Sequence, residues 1–211
     1  MSEIAPPGAK PARRRQADRS SSTRDRLIEA AITCLHQRGY AQTTVSVVAE
    51  AAGVSRGAMT HQFPAKTDLM VAVVRAVFRK DSDYYEQSIV GVDLVDWMRN
   101  LPWTLWGAVS APSGIAVMEI MLASRSDPQL AERLRDMQMR IDTAAHAWIQ
   151  DRRRAAGLAE HPDGDAIHRL VVAAARGLAL EALFRRNSED VGDSIAVLAE
   201  LLTHLYPPAK A

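Results

Sequence analysis

The chain predicts an all-α fold, and three observations carry that prediction. Apolar residues recur at steps of three and four in one segment after another, the spacing that lines one face of a helix. No stretch of useful length alternates apolar and polar residues with the period of a strand. Gly, Pro and Asp-Pro divide the segments where helices stop and start. With 211 residues, 47% of them hydrophobic, the chain can bury a substantial core and make at most two domains.

Residues 1–20 are rich in Pro, Ala, Gly and Ser and carry Lys10, Arg13, Arg14, Arg15 and Arg19. Such a composition cannot build a core, so a disordered basic arm is expected there. Ser22, Thr23 and Asp25 then signal a helix start and Gly39 a stop, with Leu27, Ala31 and Leu35 on one face and Ile28 beside it. A connector follows, and Thr44 caps a second helix whose Val45, Val48, Ala49 and Ala52 share a face. Gly53 ends it, since Gly enters a left-handed turn without steric penalty.

Ser55 is the natural N-cap of a third helix, residues 55–63. Two short helices joined by a Gly-containing turn form the helix-turn-helix pattern. The outer face of the second carries Arg56, Gly57, Ala58, Thr60, His61 and Gln62, polar or small groups suited to the donors and acceptors of a DNA major groove. An ordinary helical hairpin also has Gly and Ser at such places, so charge matters. Residues 1–80 hold 13 Lys/Arg against 6 Asp/Glu, a net +7, while the remainder is −6. A basic first part on an acidic body points to a polyanion partner for the first part alone.

The order T-V-x-x-x-A-x-x-A-G-V-S-x-G-x-x-x-x-x-F-x-x-K-x-x-L over residues 44–69 resembles the DNA-binding domain of the TetR family of transcriptional regulators. The resemblance implies phosphate contacts from Thr44 and Lys66, and groove contacts from Ser55, Arg56, Gly57, Ala58 and His61. Two positions depart from the family pattern: Thr60 stands where Tyr is usual, and Gln62 where His or Tyr is usual. Both side chains can still hydrogen-bond phosphate.

Past Pro64 a long helix is expected from about Ala65 to Ile89, with Leu69, Met70, Val73, Val74, Val77 and Phe78 as its stripe and Gly91 as its stop. It is long enough to join two domains rigidly. The boundaries read as an arm at 1–20, a DNA-binding domain at 21–68 and a helical ligand-binding and dimerisation body at 69–211. In the body, Pro102 should break a helix, residues 112–114 read as a turn, and Asp127-Pro128 as a helix start. Leu130, Leu134, Met137, Ile141, Ala145 and Trp148 then form one seam up to Gly157. Residues 161–165 are loop-like, and two helices complete the chain. Arg185, Arg186 and Asn187 suit the C-terminus of the first, and Pro207-Pro208 stops the second.

Catalytic fingerprints are absent: no nucleophile elbow, phosphate-cradling loop or dinucleotide motif. No cofactor is expected. His161 and His168, with Asp163 and Asp165, have poor metal spacing and read as a solvated loop. Cys34, the single cysteine, reads as core filler and suits a reducing cytoplasm. No apolar run is long enough to span a membrane and no leader is evident, so a cytoplasmic location is expected.

The TetR resemblance implies a small-molecule cavity inside the helical body. Its expected walls are Phe78, Trp97, Leu101, Trp106, Met118, Met121, Ile141 and Trp148, which favour an apolar or aromatic effector. It also implies a homodimer through the last two helices, here Val171, Ala174, Ala175, Leu178 and Ala182 with Leu198 and Leu202. A dimer suits a pseudo-palindromic double-stranded operator with half-sites about 34–36 Å apart or a multiple. The expected function is therefore a ligand-responsive regulator, a repressor by family analogy. The alternatives are a helical enzyme acting on an apolar small molecule, whose basic N-terminus is incidental, and a non-specific DNA-packaging protein.

Overall fold

The computed structural model describes the backbone of residues 11–158, 163–184 and 189–205, and the side chains within these spans from residue 21 on, except 189 and 190. Among the described residues the chain is helical throughout and has no strand. Helix α1 (Pro11–Gln42) is followed by α2 (Val45–Ala51), α3 (Arg56–Gln62) and the long α4 (Lys66–Ser88). The body then folds as α5 (Leu94–Arg99), α6 (Leu101–Val109), α7 (Pro112–Ala123), a 3-10 turn at Ser124–Ser126, α8 (Pro128–Ala155), α9 (Gly164–Ala182) and α10 (Glu189–Leu205).

Local chemistry explains most boundaries. Thr44 accepts a hydrogen bond from Val47 N at 3.3 Å, Ser55 one from Ala58 N at 3.2 Å, and Asp127 one from Leu130 N at 3.0 Å, each as a helix N-cap. Gly39, Gly53, Gly91 and Gly157 all take positive φ at the expected stops. At Gly39 the continuous assignment of α1 hides a true break, with φ 74° and ψ 173°. Pro102 lies in the first turn of α6, and Asn100 separates that helix from α5.

Three boundaries differ from expectation, the smallest being that α9 begins at Gly164, inside the segment 161–165 expected as a loop. Helix α1 begins at Pro11, well before Ser22, so its first turns take in the second half of the expected arm. Residues 1–10 of that arm lie outside the described residues, as do His161, Arg185, Arg186, Asn187 and Pro207-Pro208. The segment 112–114 is the first turn of α7, not a loop. Pro112 has the fixed φ that opens a helix, and Gly114 lets α7 press against the carbonyls of Ala108 and Val109, where any Cβ would clash.

The first core joins Leu27, Ala31 and Leu35 of α1 to Val48 of α2, Met59 and Phe63 of the α3 end, and the Leu69–Val77 face of α4. It does not stop near residue 68. Ala116 and Ile120 of α7 and Leu130 and Leu134 of α8 belong to the same cluster. Among the described residues, the most extensive contact between helices is α1 on α7. The expected helical head therefore leans directly on the body, and α4 is not its sole connection.

Candidate nucleic-acid interface

The sequence places an anchoring residue on one side of α3 and leaves the other side bare. Met59 and Phe63, each 2% exposed, fix α3 to the core. Arg56, Gly57, Thr60 and His61 face outward and are exposed, while Ala58 and Gln62 are half-buried at the edges. Ser55 is exposed beside them as the cap, and Thr44 is exposed at the start of α2. All nine expected DNA-contacting residues except Lys66 thus lie on or beside one small surface.

Lys66 is turned inward. Its Nζ donates to the Tyr40 carbonyl at 2.7 Å and lies 3.7 Å from the Tyr40 ring centroid. Burial holds its pKa below the ordinary lysine value, with Asp127 pulling the other way. The Tyr40 backbone N–H donates in turn to Glu119 Oε2 of α7 at 2.9 Å. One ammonium hydrogen is occupied by the carbonyl, which leaves others available to an anion.

Sequence reasoning missed Arg24 and Arg26, and the structural tie that Arg56 makes, all of which hold this surface. Arg26 Nη2 donates to the carbonyls of Ala52 at 2.5 Å and Gly53 at 3.3 Å, placing a cation at the negative end of α2. Arg24 lies over the Phe63 ring at 4.4 Å and donates to the Gln62 carbonyl at 3.4 Å, closing the end of α3. Arg56 donates to Ser46 Oγ at 3.0 Å and so ties α3 to α2. These contacts bridge 26, 27, 38 and 10 residues of sequence, and no local pattern announces them.

The eight residues expected to wall a body cavity do not converge. Trp97, Leu101 and Trp148 meet in one cluster, with Trp97 and Trp148 edge to face at 5.4 Å. Their indole N–H groups are already used, Trp97 on Ser88 Oγ at 2.9 Å and Trp148 on Glu86 Oε1 at 2.5 Å. Arg152 also holds Glu86, and these donors keep that carboxyl below its ordinary pKa. Met118 packs with Ile115, Ala179 and Trp106 in another cluster, and Ile141 packs against the core of the head. Phe78 and Met121 are half-buried. Leu101 alone of the eight borders a cavity among those described, a gap of about 10 Å³ beside Arg153 and His168. That is too small for any organic effector.

The dimer residues also divide. Val171, Ala175 and Leu202, at 3%, 0% and 2% exposure, turn into the protomer's own core and are not available to a partner. Ala174, Leu178, Ala182 and Leu198 keep partial exposure. The open apolar surface lies on the opposite faces. Leu170, Leu180 and Phe184 line that side of α9 and its end, and Val197, Leu201 and Leu205 line α10. His168, half-buried with its pKa lowered by burial and then by His146, reads as a packed side chain. No group of three potential metal ligands occurs among the described residues. No single helix among the described residues is long and apolar enough to cross a membrane.

The profile of a family described as "Bacterial regulatory proteins, tetR family" matches residues 27–73, the segment that builds α2, α3 and their supports. The chain is 43% identical over 70 residues to the HTH-type transcriptional regulator CymR of Pseudomonas putida, covering 33% of this chain and 34% of that protein. It is 29% identical over 136 residues to the HTH-type transcriptional repressor AcnR of Corynebacterium efficiens, covering 63% and 66%. The matches to these two proteins thus span about a third to just under two thirds of each relative's length. Among solved structures, the multidrug binding protein EbrR, complexed with imidazole, superposes with a TM-score of 0.63 at 26% identity, covering 99% of this chain and 100% of that one. These relatives are regulators and binding proteins by name, with no enzyme among them. The helix-turn-helix geometry and the profile over its residues together identify residues 27–73 as a DNA-binding domain of the TetR family, on a chain whose fold matches that of EbrR over its whole length.

Proposed function

We propose that the protein is a DNA-binding transcriptional regulator that acts as a two-fold dimer and changes its operator affinity when a small molecule binds. The observation that carries this reading is the exposed face of α3, with Arg56, Gly57, Thr60 and His61 outward and Met59 and Phe63 locked inward. A rigid helix with a small polar face fits a major groove. Arg56 and His61 are the side chains suited to base edges, while Thr44, Thr60, Gln62 and the remaining hydrogens of Lys66 would contact phosphates.

The apolar faces of α9 and α10 support dimerisation. Phe184 is 86% exposed and Leu170 68%, and Val197 and Leu201 follow at a step of four. Monomeric soluble proteins rarely leave such a patch uncovered. A second copy meeting it about a two-fold axis would pair two α3 helices for adjacent half-sites. AcnR is named a repressor, which supports that sign of regulation.

Ligand response needs a link from body to head, and the head–body contacts offer one. Glu119 of α7 holds the Tyr40 N–H, and Arg133 of α8 pairs with Asp68 of α4 at 2.6 Å. A ligand that repacks α7 or α8 would move both contacts and so the angle of α3. An apolar effector among Trp97, Leu101 and Trp148 would have to open a core that now holds only about 10 Å³ of space. EbrR is described as a multidrug binding protein, which supports small-molecule binding by this fold. Coupling of about 1–3 kcal/mol is the expected scale and must be reciprocal.

The test is selection of bound fragments from genomic DNA followed by titration. A saturable, salt-dependent preference for particular fragments supports the reading. Equal affinity for all sequences would point to packaging, and no binding at all would refute it.

A further inference from the structure

A cleft of about 310 Å³ opens where the head meets the body. Helix α1 supplies Glu29, Ile32 and Thr33 along one wall. Helix α4 supplies Lys80, Asp81 and Tyr84, and the corner between α6 and α7, from Gly107 to Ser113, closes the far side. None of the residues expected to wall a body cavity lines it. Its volume matches the low end of small-molecule sites.

The charge in the cleft is uneven. Glu29 and Asp81 are acidic, Lys80 is the single cation of the lining, and the α6–α7 corner contributes no ionisable group. Asp81 is half-buried and forms no salt bridge or hydrogen bond with a described residue. A carboxylate that has lost part of its hydration and has no hydrogen-bond partner gains from a cation supplied from solution. Burial pushes the Asp81 carboxyl up to about 6, with neighbouring Lys80 pulling down. It is therefore ionised near neutral pH and only just so.

The remaining lining decides the class of cation. Ile32, Ala108 and Pro112 are apolar, and Tyr84, 42% exposed, brings an aromatic side chain to the lining. An ammonium carrying a hydrophobic body can meet a carboxylate and the apolar and aromatic side chains of such a lining together. A bare metal ion would need several converging oxygens, and no such group occurs among the described residues. We propose that this junction cleft binds a small organic ammonium ion, with Asp81 as its counter-ion. The proposal deepens the regulator reading by naming an effector class and a place. The ligand would lie between α1, which carries the head, and the corner of the body against which α1 packs.

The experiment uses the whole 211-residue chain without DNA, so a failure of operator binding cannot imitate a failure of this site. The probe is 2-phenylethylammonium, titrated by calorimetry at neutral pH, with 2-phenylethanol as the neutral counterpart. Saturable binding of the ammonium is expected, with the alcohol weaker by about tenfold or more. Amide shifts should centre on Thr33, Asp81 and Gly107. Asp81→Asn should weaken the ammonium by about tenfold or more, and Thr33→Arg, which brings a competing cation to the exposed rim, should weaken it too. Circular dichroism of both variants checks that they fold. Affinity should also fall as pH drops through about 6, where Asp81 takes up a proton. The charged and titratable neighbours Glu29, Lys80, Tyr84 and Tyr85 are the groups that can modulate that fall. No saturation, equal binding of ammonium and alcohol, unchanged affinity in folded Asp81→Asn, or shifts centred on Trp97 and Trp148 would each overturn the proposal.

Discussion

Lys66 and Tyr40 form a compact joint, with the ammonium 2.7 Å from the tyrosine carbonyl and 3.7 Å from the centre of its ring. Through the Tyr40 N–H the joint continues to Glu119, so the start of α4 is tied to α7 of the body. The lysine that the family pattern assigns to phosphate is thus also a structural contact between head and body. Lys66→Gln should lower stability by about 1 kcal/mol, from the lost cation–π and carbonyl contacts. It should also lower the salt slope of operator binding by about 0.9, one phosphate contact. Thermal unfolding and anisotropy at several salt concentrations measure the two effects. A stability loss with an unchanged slope would leave Lys66 a purely structural residue.

Gly114 is buried where α7 crosses the end of α6, and a Cβ there would fall on the carbonyl oxygens of Ala108 and Val109. Backbone atoms cannot swing aside. Gly114→Ala should therefore destabilise the protein by about 1–3 kcal/mol, the scale of overpacking, despite alanine's better helix propensity. Urea unfolding measures this, and a neutral or stabilising result would contradict the packing described.

The Asp81 carboxyl has a raised pKa of about 6 in the folded protein, against an ordinary 3.8. The folded state then binds its proton more tightly than the unfolded chain does. Protonation of this group stabilises the fold, fully below about 3.8, and that stabilisation is lost as pH rises through about 6. Asp81→Asn should remove this component, so the variant gains stability relative to wild type at pH above about 6 and the gain shrinks toward pH 4. Paired melting curves across that range test it, and a variant less stable than wild type near neutral pH would contradict it.

Leu201 lies 56% exposed on the outer side of α10, beside Val197 and Leu205. Leu201→Glu should yield folded monomers in sedimentation and weaken operator binding by about tenfold or more, because each head then binds alone. A persistent dimer would move the interface elsewhere.

Much of the fold is written in short-range chemistry. Thr44, Gly53, Ser55, Gly91, Asp127-Pro128 and Gly157 each act on the nearest turn, and each stands where that chemistry requires. The outward face of α3 was legible for the same reason, since a period of 3.6 separates Met59 and Phe63 from Arg56, Thr60 and His61. Long-range decisions were not. Helix α9 is apolar on more than one side, so periodicity alone does not say that Val171 and Ala175 face the protomer's own core while Leu170 and Phe184 face out. The residues at 112–114 carry turn-forming types, yet Pro also opens helices, and only the approach of α6 explains Gly114. Arg26 on Ala52, Glu119 on Tyr40 and Asp81 in its cleft depend on partners distant in sequence. Large aromatic and sulfur-bearing side chains suggested a cavity, but the same bulk fills a core, and Trp97 with Trp148 does so here.

The central claim is that the outward face of α3 reads a DNA sequence. Its most direct measurement is an anisotropy titration of a genomically selected fragment and a scrambled one, with wild type, Arg56→Ala, His61→Ala and Thr60→Ala at fixed salt. Wild type should prefer the selected fragment by roughly 10³-fold or more. Arg56→Ala or His61→Ala should cost about 1–3 kcal/mol on the selected fragment and narrow the preference, whereas Thr60→Ala should weaken both fragments alike. Equal wild-type affinity for both fragments, or variants at Arg56 and His61 that bind as wild type does, would contradict the account.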